Sequence, residues 1–215
     1  MLDPWTRAWK DKIMEGPGRL CARLAPASAY TWAGLAVGLA AAGVAGAGAF
    51  LAAFGLWILN RILDGLDGIA ARASGTQSDA GAYLDILCDF AVYAAIPVAL
   101  AFRLVGVAVP VTLVLLGVFY VNAATWMYLS ALLEKRGTGS RASGEPTSVI
   151  MPRGLVGGTE TVLFYSAFLL FPGIYVYLAG AMAGLTLLGA LLRAWAGMRL
   201  LASPDRALQG GRNED

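Results

Sequence analysis

Long apolar runs separated by short polar stretches dominate the chain. Six runs follow one another, over roughly 28–48, 49–71, 80–102, 105–133, 157–172 and 173–200. A helix needs about 20 residues to cross a bilayer core, and each run approaches that length, the fifth being the shortest. The pattern predicts an all-α fold, a membrane bundle of six transmembrane helices over residues 26–202. Ahead of it, Asp3 and Pro4 resemble a helix cap and first helical position, and Leu2, Trp5, Trp9 and Ile13 recur at helical spacing. Trp among Lys and Arg suits an amphipathic helix lying in the membrane interface over residues 1–25, with a frayed soluble tail as the plainer alternative. Residues 203–215 form a polar tail.

Composition points the same way. Hydrophobic residues make up 58% of the 215 and charged residues 14%, against about 25% charged in soluble domains. The net charge of +2 implies no polyanionic partner, so nucleic acid is not expected. There is no histidine, which removes imidazole bases and imidazole metal ligands together. Cys21 and Cys88 cannot make a zinc site alone and read as ordinary buried thiols. Lys and Arg gather at the N-terminus, in the 134–153 loop and in the tail, while the opposite turns hold only Arg103. The positive-inside rule therefore puts both termini, and the junction of the second and third spans, in the cytoplasm.

That junction carries the chemistry. Between Asn60 and Phe90 stand Asp64, Asp67, Asp79, Asp85 and Asp89. Asp64 and Asp67 share one helix face, as do Gly81, Asp85 and Asp89 on the next helix. A short connection predicts antiparallel neighbours, so four carboxylates converge near one membrane interface. Two like charges about 6 Å apart repel by roughly 3 kcal/mol at an effective dielectric of 20. Either some of the acids keep their protons or a cation sits among them. An all-oxygen ligand set selects a hard ion, Mg²⁺ or Mn²⁺. Gly65 and Gly68 follow two of the acids and suggest close approach by a bulky ligand. Arg72, one turn on, is a natural phosphate partner. Together these residues point to a pyrophosphate site. The alternatives are an inter-helix charge network or an ion pathway, as in a divalent cation transporter with an acidic cluster.

The spacing Asp64-x2-Asp67-Gly68-x2-Ala71-Arg72-x8-Gly81-x3-Asp85-x3-Asp89 resembles the signature of the CDP-alcohol phosphotransferase family at every position. The six-span layout and the amphipathic start extend the resemblance over nearly the whole chain. It implies a membrane enzyme of phospholipid biosynthesis that moves a phosphatidyl group from CDP-diacylglycerol to a small alcohol and releases CMP. It further implies Mg²⁺ or Mn²⁺ as cofactor, a homodimer, and a bacterial inner-membrane location with the site facing the cytoplasm. By the same resemblance Asp64, Asp67 and Asp85 hold metal on the pyrophosphate. Asp89 is the general base and touches metal as well. Asp64, Gly68, Ala71 and Arg72 line the nucleotide. Asp79 falls outside the pattern and is expected in a solvated loop. Many members open their first membrane helix with Pro-Asn-x-x-Thr; here Pro26 and Thr31 are present without the Asn, and Thr31 is the nucleotide contact that remains. The acceptor classes include phosphorylated polyols such as glycerol 3-phosphate or inositol phosphate. Such an acceptor needs cations, for which Arg153 and Arg193 are candidates beside Lys135, Arg136 and Arg141. Glu160 either pairs with one of the two arginines or binds an acceptor hydroxyl.

Overall fold

A computed structural model describes residues 24–136 and 155–202. The expected interfacial helix, Cys21, Arg141, Arg153 and the tail lie outside the described residues. Within them the order is α1 (Ala27–Gly46), α2 (Phe50–Ser74), α3 (Asp79–Leu104), α4 (Ala108–Lys135), α5 (Gly158–Leu170), a single 3-10 turn (Pro172–Ile174) and α6 (Tyr175–Ala202), with no strand. The six apolar runs are thus six helices. Four of them, α1, α3, α4 and α6 with its leading turn, are long and apolar enough to cross a membrane. Helix α2 has the length, at 25 residues, but carries Arg61, Asp64, Asp67 and Arg72. Helix α5 has 13 residues, about 20 Å at the helical rise and short of a bilayer core.

Local chemistry explains the boundaries. Helix α2 ends at Gly75, whose φ of +65° is the left-handed conformation that glycine adopts cheaply. The N–H of Thr76 then reaches back to the carbonyl of Ala71 at 3.0 Å. Helix α3 begins after Ser78, whose Oγ accepts the N–H of Gly81 at 3.1 Å. Asp79 is therefore not a loop residue: it is the exposed first residue of α3, where a carboxylate favours the positive helix end.

The packing departs from expectation at one point. Helices α2 and α3 run antiparallel, yet their backbones barely approach each other. Helix α1 packs along both instead, and α4 pairs with α6. Gly38 makes the first arrangement possible. A Cβ there would lie 2.5 Å from Val92 Cγ2 of α3 and 3.0 Å from Asn60 Nδ2 of α2. Gly34 and Gly38 thus let α1 sit close in the angle between two splayed helices. The deep part of that splay is filled by large side chains. Trp57, Tyr93 and Tyr165 lie with ring centroids 5.2–6.2 Å apart. Pro97 inside α3 removes the N–H that would bond the carbonyl of Tyr93, and the Tyr165 hydroxyl donates to that carbonyl at 2.5 Å.

Candidate active site

Above this aromatic layer the splay stays open as a narrow cavity with room for about one water-sized particle. It is lined by Thr31 and Gly34 of α1, Asn60, Asp64 and Asp67 of α2, and Asp85, Cys88 and Asp89 of α3, among others. The four predicted carboxylates therefore converge as their spacing implies, each pair on the inner face of its helix. Asp67 is buried; the others are partly exposed. Cys88 is a buried free thiol, as expected.

The carboxylates are not left to repel one another. Arg61 of α2 places Nη2 2.8 Å from Asp89 Oδ1 and Nη1 3.7 Å from Asp64 Oδ2. Its Nε donates to Asn60 Oδ1 at 2.8 Å and its Nη1 to the Tyr93 hydroxyl at 2.9 Å. The guanidinium also lies over the rings of Trp57 and Tyr93, at 4.7 and 5.2 Å from their centroids. On the other side Thr31 Oγ1 donates to Asp67 Oδ2 at 2.8 Å. In this state Thr31, expected beside the nucleotide, holds one of the acids.

The donor set fits a hard divalent ion: four carboxylates, no imidazole, and a space of ionic size between them. It does not form a finished shell. Among the described residues no three carboxylates or thiols stand gathered at an ion's coordination distance. The lining supplies oxygen atoms of the kind such an ion takes.

The glycines and basic residues divide. Gly65 is buried. Gly68 is half-buried, and a Cβ there would meet Arg72 Nη1 at 3.4 Å, so the Arg72 guanidinium lies over that glycine. Ala71 is half-buried on the same turn. Glu160 caps its own helix, its Oε2 accepting the N–H of Gly157 at 3.1 Å. Arg193 of α6 is buried and donates through Nη1 to Asn122 Oδ1 at 2.9 Å, with Thr125 Oγ1 at 3.4 Å. Among the described residues its Nε finds no hydrogen-bond partner. Sequence reasoning missed Arg61, Asn60 and Tyr93. Only Arg61 carried a usable signal, as a second ionisable residue three positions before Asp64 in an apolar run.

Comparison with known proteins follows the same residues. The family model described as CDP-alcohol phosphatidyltransferase matches residues 23–196. The inner membrane protein YnjF of Escherichia coli (strain K12) is 32% identical over 181 residues, which cover 82% of this chain and 84% of that protein.

Proposed function

The chain belongs to the CDP-alcohol phosphatidyltransferase family, and from that membership we propose that it transfers a phosphatidyl group from CDP-diacylglycerol to a small alcohol and releases CMP. The observation that carries this reading is the convergence of Asp64, Asp67, Asp85 and Asp89, from two helices that hardly touch, on one narrow cavity. A charge network that merely joined helices would close the gap between them. This one keeps it open.

Asp64, Asp67 and Asp85 would hold Mg²⁺ or Mn²⁺, with Asp89 at its edge. The ion, when bound, supplies positive charge to the pyrophosphate as negative charge builds on the departing CMP. The chain's own residues do the rest. Thr31 keeps Asp67 turned into the cavity. Gly68, Ala71 and Arg72 form the surface against which the CMP half rests, together with Asp64. Asp89 accepts the proton of the acceptor hydroxyl. The freed oxygen then bonds to the phosphorus that bears the lipid, and the bond from that phosphorus to the oxygen of CMP breaks.

In this reading all six helices cross the membrane. The four acids then lie toward the cytoplasmic ends of α2 and α3 in a bacterial inner membrane, and two copies pair, each with its own complete cavity. Arg193 supports a phosphorylated acceptor, since its Nε keeps a buried donor in hand. Arg153 and Glu160 belong to the same acceptor proposal. The test is CMP release by the purified protein from CDP-diacylglycerol, across a panel of polyols and polyol phosphates, with Mg²⁺, Mn²⁺ or excess chelator. Release that needs both ion and acceptor upholds the proposal. Full turnover in chelator removes the metal, and no release with any acceptor removes the reaction.

A further inference from the structure

Arg61 is a largely enclosed cation, its side chain 11% exposed, that the aspartate pattern does not require. An apolar side chain of similar size would cost less in such a layer unless each polar atom of the charged one were satisfied. All three guanidinium nitrogens of Arg61 are satisfied, by Asn60 Oδ1, the Tyr93 hydroxyl and Asp89 Oδ1. The groups that hold it are themselves held. Asn60 Nδ2 donates to the Gly34 carbonyl of α1 at 2.8 Å. Tyr93 is fixed at its carbonyl by Tyr165 of α5. Trp57, under the guanidinium, donates from Nε1 to Ser166 Oγ at 3.2 Å. The orientation of Arg61 is thus inherited from three helices besides its own.

We propose that Arg61 is the positioning residue for Asp89. It grips Oδ1 of that carboxylate and so sets the direction in which the group meets the acceptor's proton. The inference rests on the reading of Asp89 as the base. It has a second consequence. A cation already bound at Oδ1 opposes another at the same oxygen, so Arg61 holds down divalent-ion affinity while it sets the base. A residue that only braced the helices would have the opposite effect, because losing it would loosen the acids and weaken ion binding.

The test compares the full-length wild type with Arg61→Gln, Arg61→Lys and Tyr93→Phe in nanodiscs. Three quantities are read: CMP release, Mn²⁺ affinity by electron paramagnetic resonance without substrate, and melting temperature in chelator. Arg61→Gln should lower kcat about 10- to 100-fold, the usual range for a group that orients a site ligand. KM for CDP-diacylglycerol should stay near wild type, and Mn²⁺ should bind more tightly. Arg61→Lys should fail to restore kcat, because an ammonium cannot keep a forked grip on three partners. Tyr93→Phe should shift kcat and Mn²⁺ affinity in the same directions by less. Wild-type kcat in Arg61→Gln, or full rescue by Arg61→Lys, overturns the proposal. So does weaker Mn²⁺ binding that tracks a fall in melting temperature. If Arg61→Gln does not fold, Arg61→Lys and Tyr93→Phe decide alone by the same criteria. A wild type that releases no CMP overturns the transferase reading instead, and tighter Mn²⁺ binding by Arg61→Gln would still uphold the competition at Asp89.

Discussion

Arg61 and Arg193 are both arginines within apolar helices, the first 11% exposed at its side chain and the second buried, and their surroundings differ. Around Arg61 the helices α2 and α3 stand apart, and the side chain bridges the gap to a carboxylate. Around Arg193 the helices α4 and α6 pack tightly, with a Cβ at Gly197 only 3.1 Å from Leu129 Cδ2. Its recorded partners are a neutral amide and a hydroxyl. Arg61 has a partner at each of its three nitrogens, whereas the buried Nε of Arg193 finds none among the described residues. A buried donor without an acceptor costs about 1–3 kcal/mol. The saturated arginine belongs to the architecture of the acid cluster. The other holds a buried donor that no described residue meets.

The contrast can be broken from the acid side first. Asp89→Asn keeps the shape and part of the oxygen set but removes the proton acceptor. Turnover should fall by a factor on the order of 10²–10⁴, the usual contribution of a general base, with CDP-lipid binding largely kept. Equal turnover in the mutant and wild type, at saturating metal, would remove Asp89 as the base. Asp64→Asn should instead weaken metal and nucleotide affinity, roughly 10- to 100-fold, and titration calorimetry with Mn²⁺ and CDP-lipid measures it. Affinity unchanged in Asp64→Asn would mean the ion is held elsewhere.

Packing sharpens the same comparison. Gly38→Ala puts a methyl 2.5 Å from Val92 Cγ2, which must force α1 off α3. Overpacking of this kind costs about 1–3 kcal/mol, seen as a lower melting temperature in detergent. Gly43→Ala in the same helix meets nothing within 4 Å and should leave the melting temperature unchanged. A Gly38→Ala protein as stable as wild type would show that the wedge of α1 is not tight. A small effect on stability is expected at Arg193→Met. Replacing an incompletely paired buried charge with an apolar chain of similar length is often neutral. KM should nonetheless rise for a phosphorylated acceptor and stay constant for an unphosphorylated one. A uniform change across acceptors would take Arg193 out of the acceptor site.

Much of this was legible without coordinates. Apolar runs predicted six helices because helix length and hydropathy are local properties. Helical periodicity put Asp64 with Asp67 and Asp85 with Asp89, since carboxylates three or four apart share a face whatever surrounds them. The same local reading misplaced Asp79, because one polar residue past a turn looks alike in a loop and in a first helical turn.

What tertiary structure alone decided is how the two acid-bearing helices relate. A short connection predicts neighbours, but it does not say that α1 takes the contact surface and leaves a cavity. That outcome depends on Gly38 fitting between Val92 and Asn60, residues far from it in sequence. The partners of Arg61 are likewise drawn from positions 60, 89 and 93, and Tyr93 is steadied by a tyrosine 72 residues further on. The acids were readable because their pattern is periodic along single helices. The cation that orients them was not, because a guanidinium finds its partners across helices, and no spacing in one segment records which helices will meet.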